Sequence, residues 1–155
     1  MSGAIRIRAA RPADADRIVA FNRAMAAETE ARHLDPEILA AGVAAVLADP
    51  ARGRYLVAED ARGVIGQLMV TWEWSDWRNA SFWWIQSVYV TPEARRQGVL
   101  RRLFAEIGRQ ARADPACCGL RLYVEAGNAA ARAAYERLGL VPTRYRMMEL
   151  ELSGT

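Results

Sequence analysis

Lysine is absent: every one of the 21 Lys/Arg positions is arginine. That excludes lysine Schiff-base chemistry and self-acetylation of an internal lysine. Cysteine is nearly absent, and Cys117 and Cys118 are adjacent. Neighbouring thiols strain badly to form a disulfide, and two thiols make no zinc site. They read as reduced, half-buried and without a catalytic role. Histidine occurs once, at His33, in a segment that reads as loop. No run of about 18 apolar residues occurs, so no membrane span is expected. The first residues lack the apolar core of a signal peptide, and a cytoplasmic location is the default expectation. The net charge is only +3, and the arginines are interspersed with acids. A nucleic-acid binder shows a denser basic stripe interleaved with aromatics, so no nucleic-acid partner is expected.

What is present suits one globular domain spanning 1–155, with 52% hydrophobic and 25% charged residues. Ile5–Arg8 alternates as a short strand. Asp14 is placed to cap a helix through Ile18, Phe21, Asn22 and Met25, and 26–34 reads as helix end or loop. Asp35-Pro36 restarts a helix, with Asp35 at the cap and Pro36 in the first turn. Tyr55–Glu59, Val64–Trp74 and Ser81–Val90 are strands joined by short polar turns, an antiparallel meander. A helix from Gly98 to about Arg112 leads to a strand at Leu120–Val124, a parallel right-handed crossover. Ala129–Leu138 is helical and stopped by Gly139. Arg144–Leu152 alternates at its end and reads as a closing strand. The fold class is therefore α/β, a mixed twisted sheet with an antiparallel meander followed by a parallel β-α-β crossover and helices on both faces.

The stretch Ile85–Phe104 organises the chain. A β-branched strand is broken by Thr91-Pro92-Glu93. Arg95-Arg96-Gln97-Gly98 follows, and Leu100, Leu103, Phe104 and Ile107 then fall at helical spacing. Free N–H groups and the positive end of the helix dipole make such a helix start an anion cradle. Gly98 admits a phosphate close to the backbone, with Arg95, Arg96, Arg101 and Arg102 around it. The pattern is neither a P-loop nor Gly-x-Gly-x-x-Gly. An ordinary strand-to-helix turn with a solvated arginine cluster is the competing reading.

Arg95-Arg96-Gln97-Gly98-Val99-Leu100 resembles the acyl-CoA pyrophosphate loop of the GCN5-related N-acetyltransferases (GNAT), Arg/Gln-x-x-Gly-x-Gly/Ala. Leu100 departs from the pattern, standing where the family has Gly or Ala; the backbone donors survive the change. A second hallmark resembles Leu122–Leu140, in which a strand ends at Asn128 and a helix carries alanines and Tyr135 before Gly139-Leu140. Asn128 and Tyr135 are two turns apart on one helix face. Asn128 is also a good N-cap in its own right, and Tyr135 could be a core aromatic on an alanine-rich helix.

The resemblance implies transfer of an acetyl group from acetyl-CoA, as co-substrate, to a primary amine by direct attack in a ternary complex. The cofactor would be held by Val88, Tyr89, Val90, Arg95, Arg96, Gln97, Gly98, Val99, Leu100, Arg101 and Asn128. In the family the strand before the glycine loop bends away from the next parallel strand, and the acyl-CoA arm enters the gap. Backbone groups of Val88 and Val90 would pair with that arm, and the Val88 N–H would face the thioester carbonyl. Tyr135 would be the general acid for the leaving thiolate.

The base is less sharply marked. Glu73 and Asp76 lie in Trp72–Trp77, where charge and cation–π contact could hold a cationic amine. Glu28 and Glu30, in the loop between the first two helices, are rivals; solvated surface carboxylates are the plain alternative for all four. His33 sits in that same loop. A water relay is a further option in the family. Trp83 and Trp84 are consecutive and must face opposite sides of the sheet, marking an acceptor pocket or a homodimer surface. The acceptor is a small molecule or peptide amine. Two other functions compete: a non-catalytic acyl-CoA-binding or sensing module on the same fold, and an interaction domain using the arginine cluster.

Overall fold

The computed structural model describes residues 3–153. They form two compact units that divide between Tyr123 and Val124.

The first unit is a five-stranded sheet in the order β1-β2-β3-β4-β5, built from β1 (Arg6–Ala9), β2 (Arg54–Asp60), β3 (Gly63–Ser75), β4 (Ala80–Val90) and β5 (Cys117–Leu122). The first three pairings are antiparallel and β4–β5 is parallel. Between β1 and β2 come α1 (Ala15–Glu30) and α2 (Pro36–Ala48), and α3 (Val99–Ala113) links β4 to β5. This is the mixed sheet expected from the sequence, with the meander and the crossover in the expected order.

Strand alternation distributes the core between two helical layers. Tyr55 and Met69, paired across β2 and β3, face the α1–α2 layer and pack with Ile18, Val43 and Leu39. On the opposite face Gly66 meets α3; a Cβ there would stand 3.1 Å from the Val99 Cγ1 and 3.1 Å from the Tyr89 carbonyl oxygen. That close approach seats the start of α3 on the sheet. The helix then buries Val99, Leu103, Phe104 and Ile107, each contributing roughly 1.5–3 kcal/mol.

Several expectations shift. Asp14 does not cap α1 with its side chain. A 3-10 turn over Pro12–Asp14 precedes the helix. The Asp14 carboxylate instead accepts the Arg11 N–H at 2.7 Å and both Arg8 terminal nitrogens, at 2.8 and 3.0 Å. A charged bidentate partner outcompetes a neutral amide. Helix α1 runs on through 26–30, because Ala26-Ala27-Glu28 are good helix formers. It ends where Ala31 turns left-handed at φ 48°. Glu28 and Glu30 therefore sit on its last turn, not in a loop. Strand β5 begins at Cys117, three residues earlier than the pattern at Leu120 suggests, because its pairing starts at Ser81↔Cys117.

The second unit, from Val124, contains α4 (Ala129–Arg137). Asn128 caps it, accepting the Ala131 N–H at 3.1 Å. Gly139 closes it at φ +95°, with Gly139 N–H to the Glu136 carbonyl and Leu140 N–H to the Tyr135 carbonyl. These are the paired bonds of a Schellman stop. The closing strand expected over Arg144–Leu152 does not form; that segment carries no regular structure. Its alternating apolar residues Met148, Leu150 and Leu152 are exposed, and a strand pattern becomes a strand only through a pairing partner.

Arg8 ties β1 to β2 and to the start of α1, bonding Glu59 at 2.8 Å as well as Asp14. Hydrogen bonds from Arg8 hold the Asp14 carboxyl below its ordinary pKa. Asp14→Asn should lower unfolding free energy by about 3 kcal/mol, because it leaves part of a buried charge unpaired. Since the folded pKa is depressed, the wild-type contribution is complete above the unfolded value of about 4 and is lost as pH falls through the folded one. Urea unfolding of both proteins between pH 7 and pH 3 should show the gap closing on the acid side.

Candidate active site

The site is built where β4 runs on past its pairing with β5. Parallel pairing of β4 with β5 covers Ser81–Ile85 against Cys117–Leu122 and goes no further. Beyond Ile85, β4 stays with β3 but slips in register, between the pairs Met69↔Gln86 and Gln67↔Tyr89. The slip is a β-bulge, and Ser87 at its centre takes a left-handed φ of 52°. A non-glycine residue holds that conformation only where its surroundings over-determine it.

Gln67 is the surrounding that does so. It is fully buried. Its Nε2 donates to the Ser87 carbonyl at 3.1 Å and to Asn22 Oδ1 at 3.0 Å. Asn22, itself buried, donates to the Tyr55 hydroxyl at 3.4 Å. Both neighbours of Nε2 are acceptors, which fixes the amide orientation. Burial pushes the Tyr55 phenol pKa up. The sequence reading passed over this network. Its signal was present: Gln67 interrupts the apolar run Ile65–Val70, and Asn22 lies on the apolar face of α1 with Ile18 and Phe21.

After Val90 the chain makes a 3-10 turn at Pro92–Ala94 and enters the glycine loop. Arg96 and Gly98 are both left-handed, at φ 61° and 79°, so successive N–H groups turn toward a common concavity. Gly98 is the N-cap of α3, with no side chain capping the helix and no acid in its first turn. The first N–H groups of the helix are thus left to a ligand. A Cβ on Gly98 would meet nothing nearer than the Arg101 guanidinium, at 3.9 Å. The space beside Gly98 is open, with the Arg101 guanidinium at its edge. Leu100 lies inside the first turn, and the N–H groups of Val99 and Leu100 come from the helix start whatever side chain they carry.

The arginines do not all face that space. Arg95 turns back: its Nε donates to the Val90 carbonyl at 3.0 Å and its Nη2 pairs with Glu28 at 2.8 Å. The Tyr89 hydroxyl donates to the other Glu28 oxygen at 3.1 Å. Burial and then the bond to Glu28 raise the Tyr89 phenol pKa. Gln97 donates to the Glu93 carbonyl at 2.8 Å, bracing the loop from within. Arg102 reaches the Ile5 carbonyl.

The other acid–base candidates are scattered. Glu73 pairs with Arg121 at 2.6 Å across the sheet face. Asp76 accepts the Trp77 N–H in the exposed β3–β4 turn. Glu30 and His33 are exposed. Trp72 and Trp83 pack edge to face across β3 and β4, 5.3 Å apart. Trp84 lies on the opposite side and stacks on Tyr123 at 4.3 Å. Trp77 is 90% exposed. In the second unit, burial raises the Tyr135 phenol pKa, which keeps the hydroxyl protonated at neutral pH.

The model of the acetyltransferase (GNAT) family matches residues 16–140. The chain belongs to this family. Family membership makes it an acetyltransferase that uses acetyl-CoA. Its sequence is 45% identical to the structure described as "a possible acetyltransferase from Clostridium difficile 630", with a TM-score of 0.91 over 97% of this chain and 99% of that one. A Trypanosoma brucei acetyltransferase shares the fold at 20% identity and a TM-score of 0.70, over 96% of this chain and 100% of that one. An aminoglycoside N-acetyltransferase in complex with CoA does so at 15% identity and 0.75, over 97% and 96%. No curated protein matches. Among the described residues no helix is long and apolar enough to cross a membrane, and no cluster of His, Cys, Asp or Glu could hold a metal ion.

Three substitutions, at two positions, separate the roles of the bulge and the glycine loop. Gln67→Leu removes the donor to Ser87 and should cost about 1–3 kcal/mol of stability, with weaker CoA binding because the bulge relaxes. Gly98→Asp should abolish CoA binding, whereas neutral Gly98→Asn, which also tolerates the left-handed backbone, should retain more of it. Calorimetric titration of CoA into the three variants decides this; equal affinity for Asp and Asn would remove charge from the explanation.

Proposed function

We propose that this chain is an N-acetyltransferase acting on a primary amine of a small molecule or peptide, by direct attack within a ternary complex. We also propose that 1–155 works as one catalytic domain, a reading supported by a single family match that runs across both units. The observation that carries the reading is the end of β4–β5 pairing at Ile85, with five further residues of β4 running on to an uncapped, acid-free helix N-terminus.

Acetyl-CoA supplies the activated acetyl group. The proposed pyrophosphate holders are the backbone of Gln97, Gly98, Val99 and Leu100, with charge from Arg96 and Arg101. Arg95 contributes by fixing the loop to β4. Val88, Tyr89 and Val90 are the proposed backbone donors and acceptors on the part of β4 beyond the β5 pairing, and the Val88 N–H is the proposed donor to the carbonyl oxygen as negative charge grows there. Asn128 is proposed to contact the pantetheine arm while capping α4. Tyr135 Oη is the proposed proton donor to the leaving thiolate, a role in which its phenol is protonated at neutral pH in any case.

Glu28 and Glu73 are the proposed acceptor-side carboxylates. Each is paired with an arginine, at 2.8 and 2.6 Å. A cationic amine would therefore exchange with a guanidinium rather than meet a bare charge. Either carboxylate, or a water held by it, would take the proton that the amine must lose before it attacks. The free thiols of Cys117 and Cys118 suit a reducing, cytoplasmic setting.

Thiol release from acetyl-CoA against amino acids, polyamines, aminoglycosides and peptides tests the reading; turnover with one class is expected. Steady binding of CoA with no turnover on any class would instead support the sensing module. Tyr135→Phe should lower kcat roughly 10²-fold with CoA affinity unchanged. A wild-type kcat at saturation would remove Tyr135 as the acid.

A further inference from the structure

A second cavity lies at the other end of the sheet. It has a volume of about 640 Å³ and is lined by Arg54, Trp72, Ser81, Trp83, Gln110 and Asp114, among others. Gln110 is twelve residues beyond Gly98 on α3, about 18 Å along the helix at 1.5 Å per residue. The cavity is therefore separate from the acetyl-CoA loop.

Its distinguishing group is Arg54, the first residue of β2. The guanidinium stacks on the Trp83 ring at 4.7 Å and the Trp72 ring at 5.4 Å. Its Nε and Nη2 are buried and find no hydrogen-bond partner among the described residues. Unpaired buried donors on a charged group are costly, and a buried charge ordinarily has a counter-ion. The neighbouring acids do not supply one at hydrogen-bond range. Asp114 acts on Arg54 only through space, and one of its oxygens accepts the Ala116 N–H at 2.8 Å. Glu106 is engaged by Arg109 at 2.6 and 3.0 Å and by Gln110 at 2.8 Å. Arg109, the other cation on the cavity wall, is thereby neutralised. What remains is one guanidinium without a hydrogen-bonded counter-ion, two indole walls, the Ser81 hydroxyl and the amide oxygen of Gln110.

We propose that this cavity is a binding site for a small, flat organic carboxylate, whose anion pairs with Arg54 and whose body lies against Trp72 and Trp83. A water molecule would satisfy the donors but not the charge. A carboxylate does both, in the fork geometry a guanidinium prefers. The negative end of α3 and Asp114 offset part of the Arg54 charge, so the site favours a single carboxylate over phosphate.

Phenylacetate is the probe, with neutral phenylacetamide and inorganic phosphate as controls, read by quenching of the tryptophan fluorescence of the full chain. Saturable quenching by phenylacetate below about 10 mM, and at least tenfold weaker quenching by either control, is expected. Arg54→Met keeps the stem and removes the charge; it should weaken phenylacetate at least tenfold while CoA affinity stays at the wild-type value. Arg54→Lys, which keeps the charge but loses the fork, should fall between them. Absence of saturation in the wild type would overturn the proposal without bearing on Arg54 folding. So would phenylacetate affinity equal to that of phenylacetamide, or displacement of phenylacetate by CoA, which would put the probe at the cofactor loop.

Discussion

A single buried side chain, Gln67, holds the geometry on which this acetyltransferase depends. Its amide donates to the carbonyl of Ser87, the left-handed residue at the centre of the β4 bulge. The bulge spends a residue and turns β4 just beyond Ile85, the last residue paired with β5. The bond to Asn22 anchors the same amide to α1, so the bulge, the first helix and the sheet move as one body. Beyond Ile85 the backbone groups of β4 on that edge are not taken up by the β5 ladder.

The second constraint is electrostatic and follows from a composition in which arginine is the sole strong base. Arginine makes bidentate, planar contacts, and nearly every carboxylate near the site is already engaged by one. Asp14 is held by Arg8, Glu28 by Arg95 and Glu73 by Arg121. The glycine loop differs: the first turn of α3 contains no acid, so its positive potential is not cancelled locally. Glu28 joins the two halves of the site, because it binds both Tyr89 of β4 and Arg95 of the loop.

Much of this was legible in the amino-acid order. The two helices between the first strands, the meander, the glycine loop, and the α3 crossover all follow from period, turn residues and caps. Asp35 and Asn128 cap their helices as local chemistry requires. Where local chemistry had a rival, it lost: Asp14 left the helix cap for Arg8, six residues back in sequence but brought close by the turn. The segment Arg144–Leu152 has the alternation of a strand and no strand structure, since alternation describes a face and not a partner.

By itself the sequence determined the family, the glycine loop at a helix start and the class of cofactor. Those rest on short-range facts: a glycine able to turn left-handed, a helix start without an acid, and strands long enough to register. Tertiary structure alone decided which polar residues became structural and which arginines faced the cradle. Gln67 and Asn22 look like interruptions in apolar stretches until the fold buries them side by side. Arg95 looks like a phosphate ligand until α1 presents Glu28 to it. Hydrogen bonds and ion pairs between residues 45 and 67 positions apart depend on packing the whole sheet, and no local pattern encodes them.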